Sequence, residues 1–377
     1  MHSEQSRFLP RTELANLLEV LRSAGYRCLG PKVREGAIVY EELSSAEELP
    51  HGWYDKQSPG EYRLVNEDSP RCFTWANGPQ ALKPHLFAAR EPMWRVGRDA
   101  NGTLSFTEIQ PKVERIAVLG VRACDLAALK LQDAHFLGGG HADPYYGARR
   151  EGLLLIAVNC SHPADTCFCV STGDGPEATD GYDLVLSELD EGFLIAAGSN
   201  QGKALLDRLP TDEATAAQTD TARAEVQAAA QAQTRALPGR ELQATLFANL
   251  DHSRWKEIGE RCLACANCTS VCPTCFCFNN EEQPTLAGES TTHHRQWDSC
   301  FTMGHSYIHG LVVRPDATAR YRQWLTHKLG GWHEQYGRSG CVGCGRYITW
   351  CPVGIDLTEE TNAICAASSD EGDANAG

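Results

Sequence analysis

A chain of 377 residues, 42% of them hydrophobic, is long enough to bury two or three domain cores, and its net charge of −15 argues against nucleic acid, because phosphate binding wants a basic face. The longest apolar run, Leu153–Val158, is far too short to span a bilayer, and the polar start Met1–Arg7 lacks the apolar core of a signal peptide, so a cytoplasmic protein without membrane insertion is expected. Seventeen cysteines gathered at ligand spacings fit a reducing compartment better than a disulfide framework.

Taken in chain order, residues 12–25 carry apolar side chains at helical spacing and end on Gly25, a C-cap signal. Ala37–Leu43 alternates as a strand, and the Gly, Pro, Asp and Asn content of residues 50–80 predicts loops between short strands. Lys83 and Tyr54–Leu64 could hold a polar ligand, although a solvated loop is the commoner meaning of such a stretch. Arg115–Val121 reads as a buried strand, Asp125–Asp133 as a helix and Leu153–Val158 as a second buried strand. That order predicts an α/β unit with some parallel pairing.

Cys124 stands just past the first of those strands and Cys160 just past the second, where α/β ligand sites collect, and Cys167 and Cys169 follow closely. The four are either a third iron–sulfur site held by loops at the strand ends or buried thiols packed as small hydrophobes. Asp183–Leu189 and Gly192–Ala197 read as a strand hairpin. Thr211–Leu237 then turns rich in Ala, Gln and Thr, which favours helix until Pro238-Gly239 stops it. The predicted fold class is α+β: an α/β domain over 1–210, a helical linker over 211–239, a helical ferredoxin-like dicluster domain over 240–367 and a disordered tail over 368–377.

The chemistry is concentrated in the third of these. Residues 240–261 read as helices leading into Cys262-Leu-Ala-Cys265-Ala-Asn-Cys268-Thr-Ser-Val-Cys272-Pro273, the C-x2-C-x2-C-x3-C-P spacing of bacterial iron–sulfur ligation. In that pattern three thiolates wrap one cluster and the fourth is carried to a second. Cys341-Val-Gly-Cys344-Gly-Arg-Tyr347-Ile-Thr-Trp-Cys351-Pro352 repeats it with Tyr347 where the third cysteine should stand. By the crossing rule Cys262, Cys265, Cys268 and Cys351 serve one 4Fe-4S cluster, and Cys341, Cys344 and Cys272 serve another. A structural zinc site is the competing reading, but zinc needs neither the third cysteine nor the Cys-Pro ending.

Tyr347 leaves three outcomes open: a 3Fe-4S cluster, a 4Fe-4S cluster completed by a substitute, or loss of that cluster. The substitutes are Tyr347 itself, Cys300, Cys365 and solvent hydroxide. Cys275, Cys277 and Cys300 are read as lining the cluster pocket, since the two motifs nearly fill their own coordination. His293 and His294 read as an exposed loop pair. Arg314–Lys328, basic and aromatic, is a helix that docks a partner, neutralises anionic clusters or simply faces solvent. The long insert between Cys272 and Cys341, with helical segments, favours an all-helical ferredoxin domain over the short β-rich kind.

Gly120–Ala128, Cys167–Glu177, Cys272–Cys277, Trp297–Phe301, Gly340–Cys344 and Ile348–Asp356 together resemble the beta subunit of cytoplasmic nickel–iron hydrogenases, the sulfhydrogenases. The related A subunit of anaerobic sulfite reductase shares the pattern, and Tyr347 departs from it. The resemblance spans most of the chain. It implies an electron-relay subunit with no catalytic site of its own, whose partners are a flavin- and NAD(P)-binding reductase subunit and nickel–iron hydrogenase subunits, or the subunits of a sulfite reductase. No G-x-G-x-x-G follows a strand here, so the flavin and nicotinamide chemistry falls to the partners. A stand-alone sulfur or polysulfide reductase working at an open iron near Tyr347 is the rival from another class.

Overall fold

The computed structural model describes residues 6–80, 82–99, 101–239 and 242–366. Its largest sheet has eight strands, in the order Asp212–Glu213, Arg7–Pro10, Gly192–Ala197, Leu184–Glu188, Leu153–Val158, Ile116–Val121, Arg27–Arg34 and Ala37–Glu42. The four central strands from Leu184–Glu188 to Arg27–Arg34 run parallel, and the flanks pair antiparallel. The continuous apolar runs at Ile116–Val121 and Leu153–Val158 have this meaning: both faces are covered, so both faces are hydrophobic. Helix Leu14–Ser23 covers one face with Leu14, Leu17, Leu18 and Leu21, an i, i+3, i+4, i+7 stripe. Helix Ala123–Phe136 covers the other with Leu126, Leu129 and Phe136.

The α+β class expected from the sequence holds, with one difference in the second half. Phe278–Pro284 and Ser290–Trp297, inside the insert between the cysteine motifs, form an antiparallel hairpin rather than helix. The hairpin joins Arg90–Arg98 and Leu104–Glu108 in a four-stranded sheet. Residues on both sides of the linker therefore share one sheet, pinned by buried Arg295, which pairs with Glu91 at 2.5 Å and also with Asp143. His293 and His294 lie on this strand, not in an exposed loop: the His293 ring stacks on Trp94 with centroids 3.6 Å apart, and His294 is buried. Of the linker, Ala216–Gln231 is helical, started by a capping box in which Thr215 and Gln218 satisfy each other's backbone N–H groups. Helices Leu242–Ala248 and Arg254–Arg261 lead to Cys262 as expected. The predicted tail at 368–377 lies outside the described residues.

The basic aromatic tract folds as helix Ala317–Thr326 continued by a π-helical turn over His327–Gly331. Tyr321, Trp324, Leu325 and Leu329 are buried beside Trp255, Ile258 and Ile348, so its aromatic face is core. No described helix is long and apolar enough to cross a membrane.

Candidate metal centres

The first motif wraps a cleft lined by Cys262, Cys265, Cys268 and Cys351, with Phe301, Tyr321, Trp324, Tyr347 and Ile355 as its apolar wall. Cys351, from the second motif, thus joins the three cysteines of the first, the arrangement the crossing rule requires. The loop achieves this at a cost in backbone strain. Ala264 and Ala266 both hold positive φ, 50° and 66°, in the left-handed region that side chains disfavour by about 1–2 kcal/mol each. Strain of this kind persists where a site depends on it. It aims the amide of Ala264 at Cys262 Sγ, 3.4 Å away, and the amides of Gly343 and Ile355 meet Cys341 Sγ and Cys351 Sγ at the same distance. Amides directed at sulfur favour the thiolate, the ligating form. Burial works the other way, pushing the Cys262 and Cys268 thiols up, with the neighbouring thiols adding to it.

The second site is more enclosed. Cys272, Cys275, Cys341 and Cys344 are all buried, and the Tyr347 hydroxyl meets Cys341 Sγ at 2.5 Å. Burial pushes the Cys341 thiol up to about 12 although the Tyr347 hydroxyl pulls it down, and burial together with Cys341 holds the Tyr347 phenol well above its ordinary value. Two lysines are buried here. Lys328 Nζ reaches Thr274 Oγ1 at 2.8 Å and Cys272 Sγ at 3.5 Å. Lys83 Nζ donates to the carbonyls of Thr269, Ser270 and Cys272 at 3.1–3.3 Å and lies 3.9 Å over the Trp297 ring. Lys83 is therefore buried at the start of the short helix Lys83–Leu86, not on a solvated loop. Among the described residues neither ammonium has a carboxylate within ion-pair distance. Burial works against the Lys328 charge, and the thiolates of Cys272 and Cys275 outweigh it; for Lys83 burial prevails and its pKa falls. Burial would raise Cys272 as well, but the Cys275 thiol and the Lys328 ammonium hold it well below the ordinary thiol range.

The sheet edge supplies a third gathering. Cys124 opens helix Ala123–Phe136, Cys160 follows strand Leu153–Val158, and Cys167 and Cys169 precede and open a short helix over Cys169–Thr172. All four are buried, and their charges are felt in a chain: that of Cys169 by Cys124, that of Cys160 by Cys169, and those of Cys160 and Cys169 by Cys167. Cys344 feels the charge of Cys272 and shares a buried cluster with Cys124 and Cys169, so the second and third sites adjoin. Arg122, wholly buried, stands beside Cys160 and donates to Phe73 O at 2.8 Å, again with no carboxylate partner among the described residues. Asn77 ties the second motif to this edge through a 2.7 Å bond to Cys344 O.

These residues suit an anionic, thiolate-held group better than a single ion. Among the described residues no three His, Cys, Asp or Glu side chains converge tightly enough to hold one metal ion. A cluster several atoms wide asks instead for cysteines spread around a cavity, and a net negative charge on it answers the unpaired lysines. Lys83, Lys328 and Arg122 escaped the motif reading. The sequence marks Lys83 only as a candidate for a polar ligand and Lys328 only as part of a basic tract that could dock a partner, neutralise clusters or face solvent; the structure sets Lys328 beside Cys272.

Comparison with known proteins agrees. A family model described as a 4Fe-4S dicluster domain matches residues 261–355, so the chain carries an iron–sulfur domain there. Sulfhydrogenase 2 subunit beta of Pyrococcus furiosus is 31% identical over 245 residues, covering 64% of this chain and 72% of that relative. The chain belongs to the sulfhydrogenase beta-subunit family, and is an iron–sulfur electron-transfer subunit of hydrogenase type. No solved structure matches it.

Proposed function

We propose that the chain relays single electrons between a flavin- and NAD(P)-binding reductase subunit and a nickel–iron hydrogenase module, using two clusters held by the ferredoxin-type motifs and a third at the sheet edge. Cys262, Cys265, Cys268 and Cys351 hold the first, Cys272, Cys341 and Cys344 supply the second, and Cys124, Cys160, Cys167 and Cys169 the third. Such clusters supply one-electron transfer at potentials set by charge, burial and hydrogen bonds to sulfur. The protein sets all three. Phe301, Tyr321, Trp324 and Ile355 keep water from the first site, Lys83 and Lys328 place positive charge at the second, and Arg122 does so at the third.

The observation that carries this reading is the exchange of cysteines between the two motifs, Cys351 with the Cys262–Cys268 loop and Cys272 with Cys341 and Cys344. The sulfhydrogenase relative favours a hydrogenase complex over a sulfite reductase one. The test is anaerobic purification of the tagged chain from its own cells, followed by iron and acid-labile sulfide analysis and identification of the subunits that accompany it. About twelve irons per chain, with flavin- and nickel-containing subunits, is the expected result. A colourless protein without labile sulfide, or a complex with sulfite reductase subunits, would overturn it.

A further inference from the structure

The second site lacks a fourth cysteine within its own motif, and two of the substitutes suggested by the sequence, Tyr347 and Cys300, are placed elsewhere. The Tyr347 hydroxyl is engaged with Cys341 Sγ, and its ring packs edge-on against Trp324 with centroids 5.5 Å apart, against the wall of the first cleft. Cys300 is only partly buried, and its charge is felt by Cys268 of the first site.

Cys275 is placed differently. It is buried, its thiol lies against that of Cys272, and it shares Lys328 with both Cys272 and Cys341. Lys83 also faces it. Cys272-Pro-Thr-Cys275 repeats the two-residue spacing of Cys341-Val-Gly-Cys344, so two C-x2-C pairs stand at one buried site. Thr274, between the first pair, ties them together: its hydroxyl donates to Gly340 O at 2.7 Å, one residue before Cys341.

We propose that Cys275 is the fourth ligand of the second cluster, so that Cys272, Cys275, Cys341 and Cys344 hold a four-iron cluster and Tyr347 serves beside it as a hydrogen-bond donor to Cys341. This rests on the electron-relay reading. It replaces the expectation that Cys275 only lines the pocket, and it makes the tyrosine compatible with a complete cluster. A ligand two residues beyond a Cys-Pro step reaches the same centre because the proline turn folds the chain back on itself.

Iron and acid-labile sulfide counts, with electron paramagnetic resonance before and after dithionite, test this on the full chain purified anaerobically. The unaltered protein is expected to show no oxidised three-iron signal. Cys275→Ala is expected either to produce that signal with the loss of about one iron per chain or to lose the second cluster, about four irons, with the first site's signal intact. Cys275→Ala combined with Tyr347→Cys, which moves the cysteine to the usual position, is expected to restore the four-iron form and guards against a misfolded single variant. A three-iron signal in the unaltered protein, iron and sulfide unchanged in Cys275→Ala, or one iron or zinc without sulfide at this site overturns the assignment while leaving the first cluster standing. Absence of iron and sulfide from every sample overturns the electron-relay reading itself.

Discussion

Asp125 and Arg346 meet where the sheet edge joins the second cysteine motif, and both are almost wholly buried, at 2% and 1% exposure. Arg346 Nη1 and Nη2 reach the two carboxylate oxygens at 2.6 and 3.1 Å, and its Nε donates to Gly78 O at 2.9 Å. Two charges withdrawn from water in this way roughly balance each other, but either one alone does not. Asp125→Asn is therefore expected to destabilise the protein by about 3–5 kcal/mol, read as a fall in the urea midpoint at unchanged slope. Asp125→Leu with Arg346→Met, which removes both charges and keeps the volume, is expected to cost much less. Equal losses in the two variants would show that packing at this junction matters more than charge balance. Cys124 and Cys344 flank the pair in sequence, so the same variants also report how firmly the second and third sites are held together.

Between elements, one of the close approaches at the sites is made by Gly343 in the second motif. Its φ is +64°, and a Cβ there would lie 2.5 Å from the backbone of Phe168 and Cys169. The approach is sealed by a 2.8 Å bond from Phe168 N to Gly343 O. Gly337→Ala, at φ +72° with nothing within 4 Å, is expected to cost only the left-handed strain, roughly 1–2 kcal/mol. Gly343→Ala adds overpacking of about 1–3 kcal/mol, and thermal midpoints of the two variants separate the contributions. A midpoint for Gly343→Ala no lower than that for Gly337→Ala would mean that the loops part easily. This contact also marks the limit of what the sequence discloses. The motif spacings and the runs at Ile116–Val121 and Leu153–Val158 are local patterns, and local patterns carried over into structure. Phe278–Trp297 did not read as a hairpin, because its strands are polar and their partner, Arg90–Arg98, lies almost two hundred residues away. The burial of Lys83 beside Cys272 is a contact across a similar separation that no periodicity announces.

At the scale of the fold, three buried cations face the cysteine sites with no carboxylate in ion-pair distance among the described residues, in a chain whose net charge is −15. A folded protein does not keep a desolvated ammonium without an anion nearby, and only partial compensation comes from carbonyl oxygens such as those around Lys83. Cluster binding and folding are therefore expected to be coupled: a bound negative group would stabilise the packed state, and its removal would leave the cations with more of their desolvation cost. Stripping iron with a chelator under anaerobic reduction is expected to lower the thermal midpoint of the full chain. Lys328→Met makes the expectation specific. In the stripped protein it removes a charge balanced only by the Cys272 and Cys275 thiolates and changes stability little, whereas in the loaded protein it removes a counter-charge to the whole cluster and lowers it. The gap between the two forms should then shrink by an amount on the order of 2 kcal/mol, the worth of a charged hydrogen bond. Calorimetry on both forms of both proteins measures it, and a gap that stays the same or widens would mean that Lys328 answers to Thr274 and the surrounding carbonyls rather than to a bound anionic cluster.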